Sequence, residues 1–135
     1  MSRLSVPVLL VVGAAAALAA LPVHAQQGLV CDASYGEAQF TIGRHATSSN
    51  WLQLTNQVAD VAGVRVTITS GSGSGHQLKL ANNWNPATVF QSIDLASTTP
   101  TQVAVAPRPG ALIGFIAHAS GSAGMSARVT ACCRG

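Results

Sequence analysis

Charge is scarce in this sequence: Asp, Glu, Lys and Arg together make up 8% of its 135 residues. Aromatic side chains are scarcer still, at 4%. The acids are four: Asp32, Glu37, Asp60 and Asp94. So small and scattered a set does not offer the two carboxylates that flank a bond in glycosidases. Nor does it make a carboxylate-rich calcium loop. The basic residues beyond Arg3 are Arg44, Arg65, Lys79, Arg108, Arg128 and Arg134, spread along the chain rather than clustered. That spacing argues against a nucleic-acid partner. No Cys-x-x-Cys or His-x-His occurs, so the local pairing typical of zinc sites is missing. His45, His76 and His118 read as loop or surface residues, and no metal or cofactor is expected. Ser70 to Gly75 alternates Ser and Gly, but a Gly-x-Ser-x-Gly nucleophile turn needs both on one parity, which this segment lacks. The expectation is a protein that is not an enzyme.

One long apolar run is present, at the N-terminus. Arg3 supplies a positive start, Val6 to Leu21 is apolar and alanine-rich, Pro22 breaks it, and Val23-His24-Ala25 provides small residues at the positions read by a signal peptidase. This predicts a signal peptide over 1–25, cleaved after Ala25. A domain over 26–135 is then expected to be secreted or periplasmic, with no membrane span after cleavage. Val30 precedes Cys31, which is the wrong residue for a lipid-attachment site.

The remaining chain alternates with a period of two in many short runs. Leu29 and Cys31 share a parity, as do Phe40 and Ile42, and Leu52 and Leu54. Val64, Val66 and Ile68 give the strongest strand, followed by Leu78 and Leu80, then Val89, Ile93 and Leu95, then Val103 and Val105. Ala127, Val129 and Ala131 close the series. Leu112 to Ala117 is apolar on both parities, which predicts a central strand covered on both sides. Gly-, Ser-, Asn- and Pro-rich turns separate the runs, at Ser70–Gly75, Asn82–Pro86, Thr98–Pro100, Pro107–Gly110 and Ser120–Ser122. Asn56 to Ala62 has room for one helical turn. The pattern predicts a single all-β domain: an antiparallel β-sandwich of eight or nine strands with jelly-roll or Greek-key connections.

Cys31, Cys132 and Cys133 stand at opposite ends of this domain. In an oxidising compartment one bridge is expected and one thiol is left over. Parity places Cys133 on the face of Val129 and Cys132 with Arg128 and Thr130. The expected bridge is therefore Cys31–Cys133. Cys132 is then an outward thiol able to link two copies as a disulfide homodimer, and a bulge would swap the two neighbours.

Trp84 lies in Asn82-Asn83-Trp84-Asn85-Pro86, and Trp51 has opposite parity to Leu52 and Leu54. Either these tryptophans lid the ends of the sandwich, or they stand outward. An outward indole plane flanked by amides can stack on a sugar ring while Asn83 and Asn85 exchange hydrogen bonds with hydroxyls. Trp84, Asn83, Asn85 and Trp51 are the candidate ligand-binding residues. Val66-Thr67-Ile68-Thr69, the Gly-Ser loop and Gln77-Leu78-Lys79-Leu80 form one strand–loop–strand unit, and Ile113 to Val129 forms another. In these units the chain resembles pre-peptidase C-terminal-type domains, which are β-sandwiches of secreted bacterial proteases. The resemblance implies the sandwich fold. Together these features point to a secreted, non-catalytic binding module whose partner is a glycan or an extracellular protein. A fibre or coat subunit, resting on the spare cysteine, is the alternative. A hydrolase inhibitor using Pro107-Arg108-Pro109-Gly110 is a further one.

Overall fold

The computed structural model describes residues 28–55, 60–108, 111–118 and 123–135, without the side chains of 107 and 108. The expected signal peptide over 1–25 lies outside these residues, as do Pro109, Gly110 and the Ser120–Ser122 turn.

Nine strands are described: β1 (Leu29–Cys31), β2 (Glu37–Ile42), β3 (Leu52–Gln53), β4 (Val61–Gly71), β5 (His76–Ala81), β6 (Val89–Asp94), β7 (Thr101–Arg108), β8 (Ile113–His118) and β9 (Met125–Arg134). Two single 3-10 turns, Ala33–Tyr35 and Pro86–Thr88, are the only helical pieces among the described residues. Each alternating run became a strand. The turn of helix allowed over 56–62 is not formed at its end, because β4 already begins at Val61.

The strands make two antiparallel sheets. In the first, β9 is bordered on one side by β4 and then β7. On its other side it pairs with β2 over Met125–Thr130 and with β1 over Cys132–Arg134. The second sheet runs β3-β8-β5-β6. From β2 to β9 the chain crosses between layers so that β2-β9-β4-β7 faces β3-β8-β5-β6, the jelly-roll arrangement of two Greek keys. Period-two patterning drives it. Along β2, Ala38, Phe40 and Ile42 are buried while Glu37, Gln39 and Thr41 are exposed. Phe40, Ile42, Val64, Val66 and Val129 from the first sheet meet Leu78, Leu80, Ile93 and Ile116 from the second. Each such side chain contributes roughly 1.5–3 kcal/mol on burial.

Three expectations are corrected here. The bridge is Cys31–Cys132, with Cα atoms 3.9 Å apart, and not Cys31–Cys133. Register decides it: Cys132 stands directly opposite Cys31, and Cys133 opposite Val30. Opposed residues of an antiparallel pair point to the same side. Parity had equated burial with the inner face, yet Cys132 is fully buried on the outer one. Leu29 leans across the sheet to Gly63, where a Cβ would lie 2.7 Å from the leucine Cδ1. Cys132 is thus closed inside its own chain, and the cysteine left outside the bridge is the half-buried Cys133, the swap of neighbours that a bulge allows. Second, Pro107 and Arg108 belong to β7, with Arg108 in register with Val61, rather than to a protruding loop. Third, β8 is interior in its sheet, but only one of its faces is packed under the other layer. Phe115 and Ala117, on the opposite parity, are half-buried.

Candidate functional site

The outer face of the second sheet follows from its register. Phe115 of β8 is opposite Lys79 of β5, which is opposite Ser92 of β6. One step along, Ala117, Gln77 and Asp94 make a parallel row. Trp51 lies one residue before Leu52, which pairs with Gly114. It therefore comes level with Phe115 on the outward side, and their ring centroids are 4.4 Å apart. Trp84 joins them from the turn after β5, its centroid 6.4 Å from that of Trp51. Three of the chain's six aromatic residues, both tryptophans included, thus gather on this face. Trp84 is 55% exposed. Neither tryptophan lids the core; of the two readings of these residues, the structure selects the outward one.

Asn83 and Asn85 build the turn that carries Trp84. The side-chain oxygen of Asn83 accepts from the backbone N–H of Asn85 at 3.1 Å and from the Thr88 hydroxyl at 3.0 Å. The side-chain oxygen of Asn85 accepts from the Ala87 N–H at 2.9 Å and caps the Pro86–Thr88 turn. Both residues therefore hold the indole in place before any ligand arrives, which limits the ordering lost on binding. The signal for this was in the sequence, since Asn directly before Pro is a helix-start signature.

Beside the aromatic shelf opens a cleft of about 390 Å³, whose lining includes Gly75, Gln77, Lys79, Asp94, Ala117 and His118. Lys79 donates to the Ser92 hydroxyl at 2.9 Å, and Gln77 donates to one carboxylate oxygen of Asp94 at 2.6 Å. Sequence reasoning did not select Phe115, Lys79, Gln77 or Ser92. It left Asp94 as one of four scattered acids.

Two of the three histidines are not surface residues. His76 and His118 are opposed in register and point inward, their ring centroids 4.1 Å apart. Both are buried, His76 at 1% exposure. His118 Nδ1 donates to the Gly75 carbonyl at 2.9 Å. Gly75 has φ +85°, and a Cβ there would sit 3.0 Å from the His118 ring. Neither ring nitrogen of His76 has a hydrogen-bond partner among the described residues. Burial, and secondarily the neighbouring His118, push its pKa down. Among the described residues no three His, Cys, Asp or Glu side chains gather to hold a metal ion.

No protein-family model and no curated protein matches the chain. The similarity to pre-peptidase C-terminal-type domains accordingly stays at the level of strand pattern. Solved structures with a similar fold include chitosan-binding module 1 of a chitosanase/glucanase from Paenibacillus sp. IK-5, at 8% identity and TM-score 0.49, covering 70% of this chain and 75% of that one. The carbohydrate-binding module CBM36, in complex with calcium and xylotriose, aligns at 13% identity and TM-score 0.35, over 79% of this chain and 93% of that one. FLHE aligns at 16% identity and TM-score 0.38, over 74% and 99% respectively. These likenesses concern the fold and assign no residue a role.

Proposed function

We propose that the domain is an exported, non-catalytic module that binds a glycan on the outer face of the second sheet. The observation that carries this reading is the shelf of Trp51, Phe115 and Trp84, the last carried on the turn that Asn83 and Asn85 cap. Large apolar planes left outward on a sheet face suit the apolar face of a sugar ring, with adjacent polar groups setting orientation. Asn83 and Asn85 would reach a ligand through their NH2 ends, their oxygens being engaged in the turn. Binding fits the cleft better than hydrolysis does. Asp94 is the one carboxylate in its lining, and glycosidases need two. The fibre or coat alternative rests on the spare cysteine, which is the half-buried Cys133 once Cys132 is bridged to Cys31.

The test is titration of the protein, produced by export of the full chain, against a polysaccharide panel with tryptophan fluorescence as readout. At least one glycan should shift the emission. Trp51→Ala and Trp84→Ala should each weaken that binding at least tenfold, about 1.4 kcal/mol, while melting temperatures stay close to that of the parent. A panel without response, or tryptophan variants that bind like the parent, would remove the glycan reading.

A further inference from the structure

The cleft carries information about the chemistry of the ligand, given the glycan reading above. Lys79 is the chain's only lysine and Asp94 one of its four acids, and both line the same cleft. In a sequence this poor in charge, that placement is conspicuous. Among the described residues neither side chain is in a salt bridge. Each is steadied instead by a neutral neighbour across the sheet, Lys79 by Ser92 and Asp94 by Gln77. These contacts leave the ammonium with further N–H donors and the carboxylate with its second oxygen. The cleft therefore offers a donor and an acceptor side by side, with little net field. A carboxylate on the ligand would be drawn by Lys79 and repelled by Asp94, and an amine the reverse. A pair of neighbouring hydroxyls uses both.

Geometry gives the direction of the chain. Trp51, Phe115, Lys79 and Ser92 are successive residues of one row running across β3, β8, β5 and β6. Three inter-strand steps make this row about 14 Å long. The small Ala117 beside Phe115 leaves the floor of the cleft low where the second row begins. We propose that the ligand is an uncharged, hydroxyl-rich sugar chain lying across the strands, one ring on the Trp51–Phe115 shelf and a later ring in the cleft, its adjacent hydroxyls shared between Lys79 and Asp94.

The experiment compares neutral gluco-, xylo- and manno-oligosaccharides, from dimer to hexamer, with oligogalacturonides and glucosamine oligomers on the full exported protein. It includes Lys79→Met, Asp94→Asn and Trp51→Ala variants, each checked by thermal melting. Affinity for a neutral series should rise with length until the row is spanned and change less than twofold over a tenfold range of salt. Lys79→Met and Asp94→Asn should each weaken the longer oligomers about tenfold and leave the dimer almost unaffected. Tighter binding of a charged series overturns the proposal. So does parental affinity in both cleft variants; if Trp51→Ala still loses binding in that case, the shelf reading stands and the cleft assignment falls. Should Trp51→Ala also bind normally, the glycan reading fails with it.

Discussion

The two outer faces of this sandwich are made by the same alternation, yet they finish differently. On the first sheet the outward groups pair with one another. Arg128 and Thr130 both meet Glu37, at 3.7 and 3.1 Å, Arg65 donates to Gln102 at 3.1 Å, and the hydroxyls of Thr41 and Ser126 lie 3.2 Å apart. That face is satisfied within itself. The second sheet instead leaves two indoles and a phenyl ring at its surface beside a lysine and an aspartate held only by neutral partners. Cross-strand pairing stabilises a sheet in either case. What separates the faces is whether the outward row has unused apolar area and unused polar capacity, and on the second sheet it has both.

The strongest way to break the first face is at its covalent end. A double Cys31→Ala/Cys132→Ala variant opens a loop with a sequence separation of 101. In the chain-entropy account that removes about 4–5 kcal/mol, a large share of the stability of a small domain. The urea midpoint should fall accordingly while binding to the aromatic face persists under native conditions. A loss below about 1 kcal/mol would show that β1 and β9 hold without their bridge.

A smaller effect is expected behind the second face, at His76. Its pKa is lowered in the folded state, so the unfolded chain takes up a proton first as pH falls below the ordinary histidine value of about 6.5. Stability contributed by the neutral ring is thus present above that value. It declines as pH drops through the window down to the lowered folded pKa, and levels off beneath it. His76→Phe, which keeps a ring of similar shape, should flatten the profile of urea midpoint against pH in that window. An unchanged slope would assign the acid sensitivity to another group.

The smallest effect belongs to the self-satisfied face. Glu37→Gln should change stability by less than about 1 kcal/mol, because its partner Arg128 is 41% exposed and solvent screens the pair. A loss above about 2 kcal/mol would mean that these outward pairs carry the first sheet rather than finish it.

These differences mark where sequence stopped being legible. Period two is local, so every strand could be read from runs such as Val64–Ile68 and Leu78–Leu80. The outward sense of Trp51 could be read from its parity with Leu52. Register is not local. Nothing in the chain order says that Lys79 faces Phe115, that His76 meets His118, or that Cys132 rather than Cys133 stands opposite Cys31. Phe115 was hidden for a related reason, since an apolar run on both parities reads the same whether its second face meets another layer or two tryptophans. The Asn-Trp-Asn-Pro turn was legible as a turn. Its asparagines, read as ligand contacts, also cap the turn that carries the indole between them.

The sulfur bond between the first and last strands also has a mechanical meaning. Gly135 N–H donates to the Gly28 carbonyl at 2.5 Å, so the first and last described residues sit together, three residues outside Cys31 and Cys132. Tension applied at this pole passes directly through the cystine and bypasses the intervening loop. The strands between Cys31 and Cys132 are thereby shielded from such a pull while the bridge is intact.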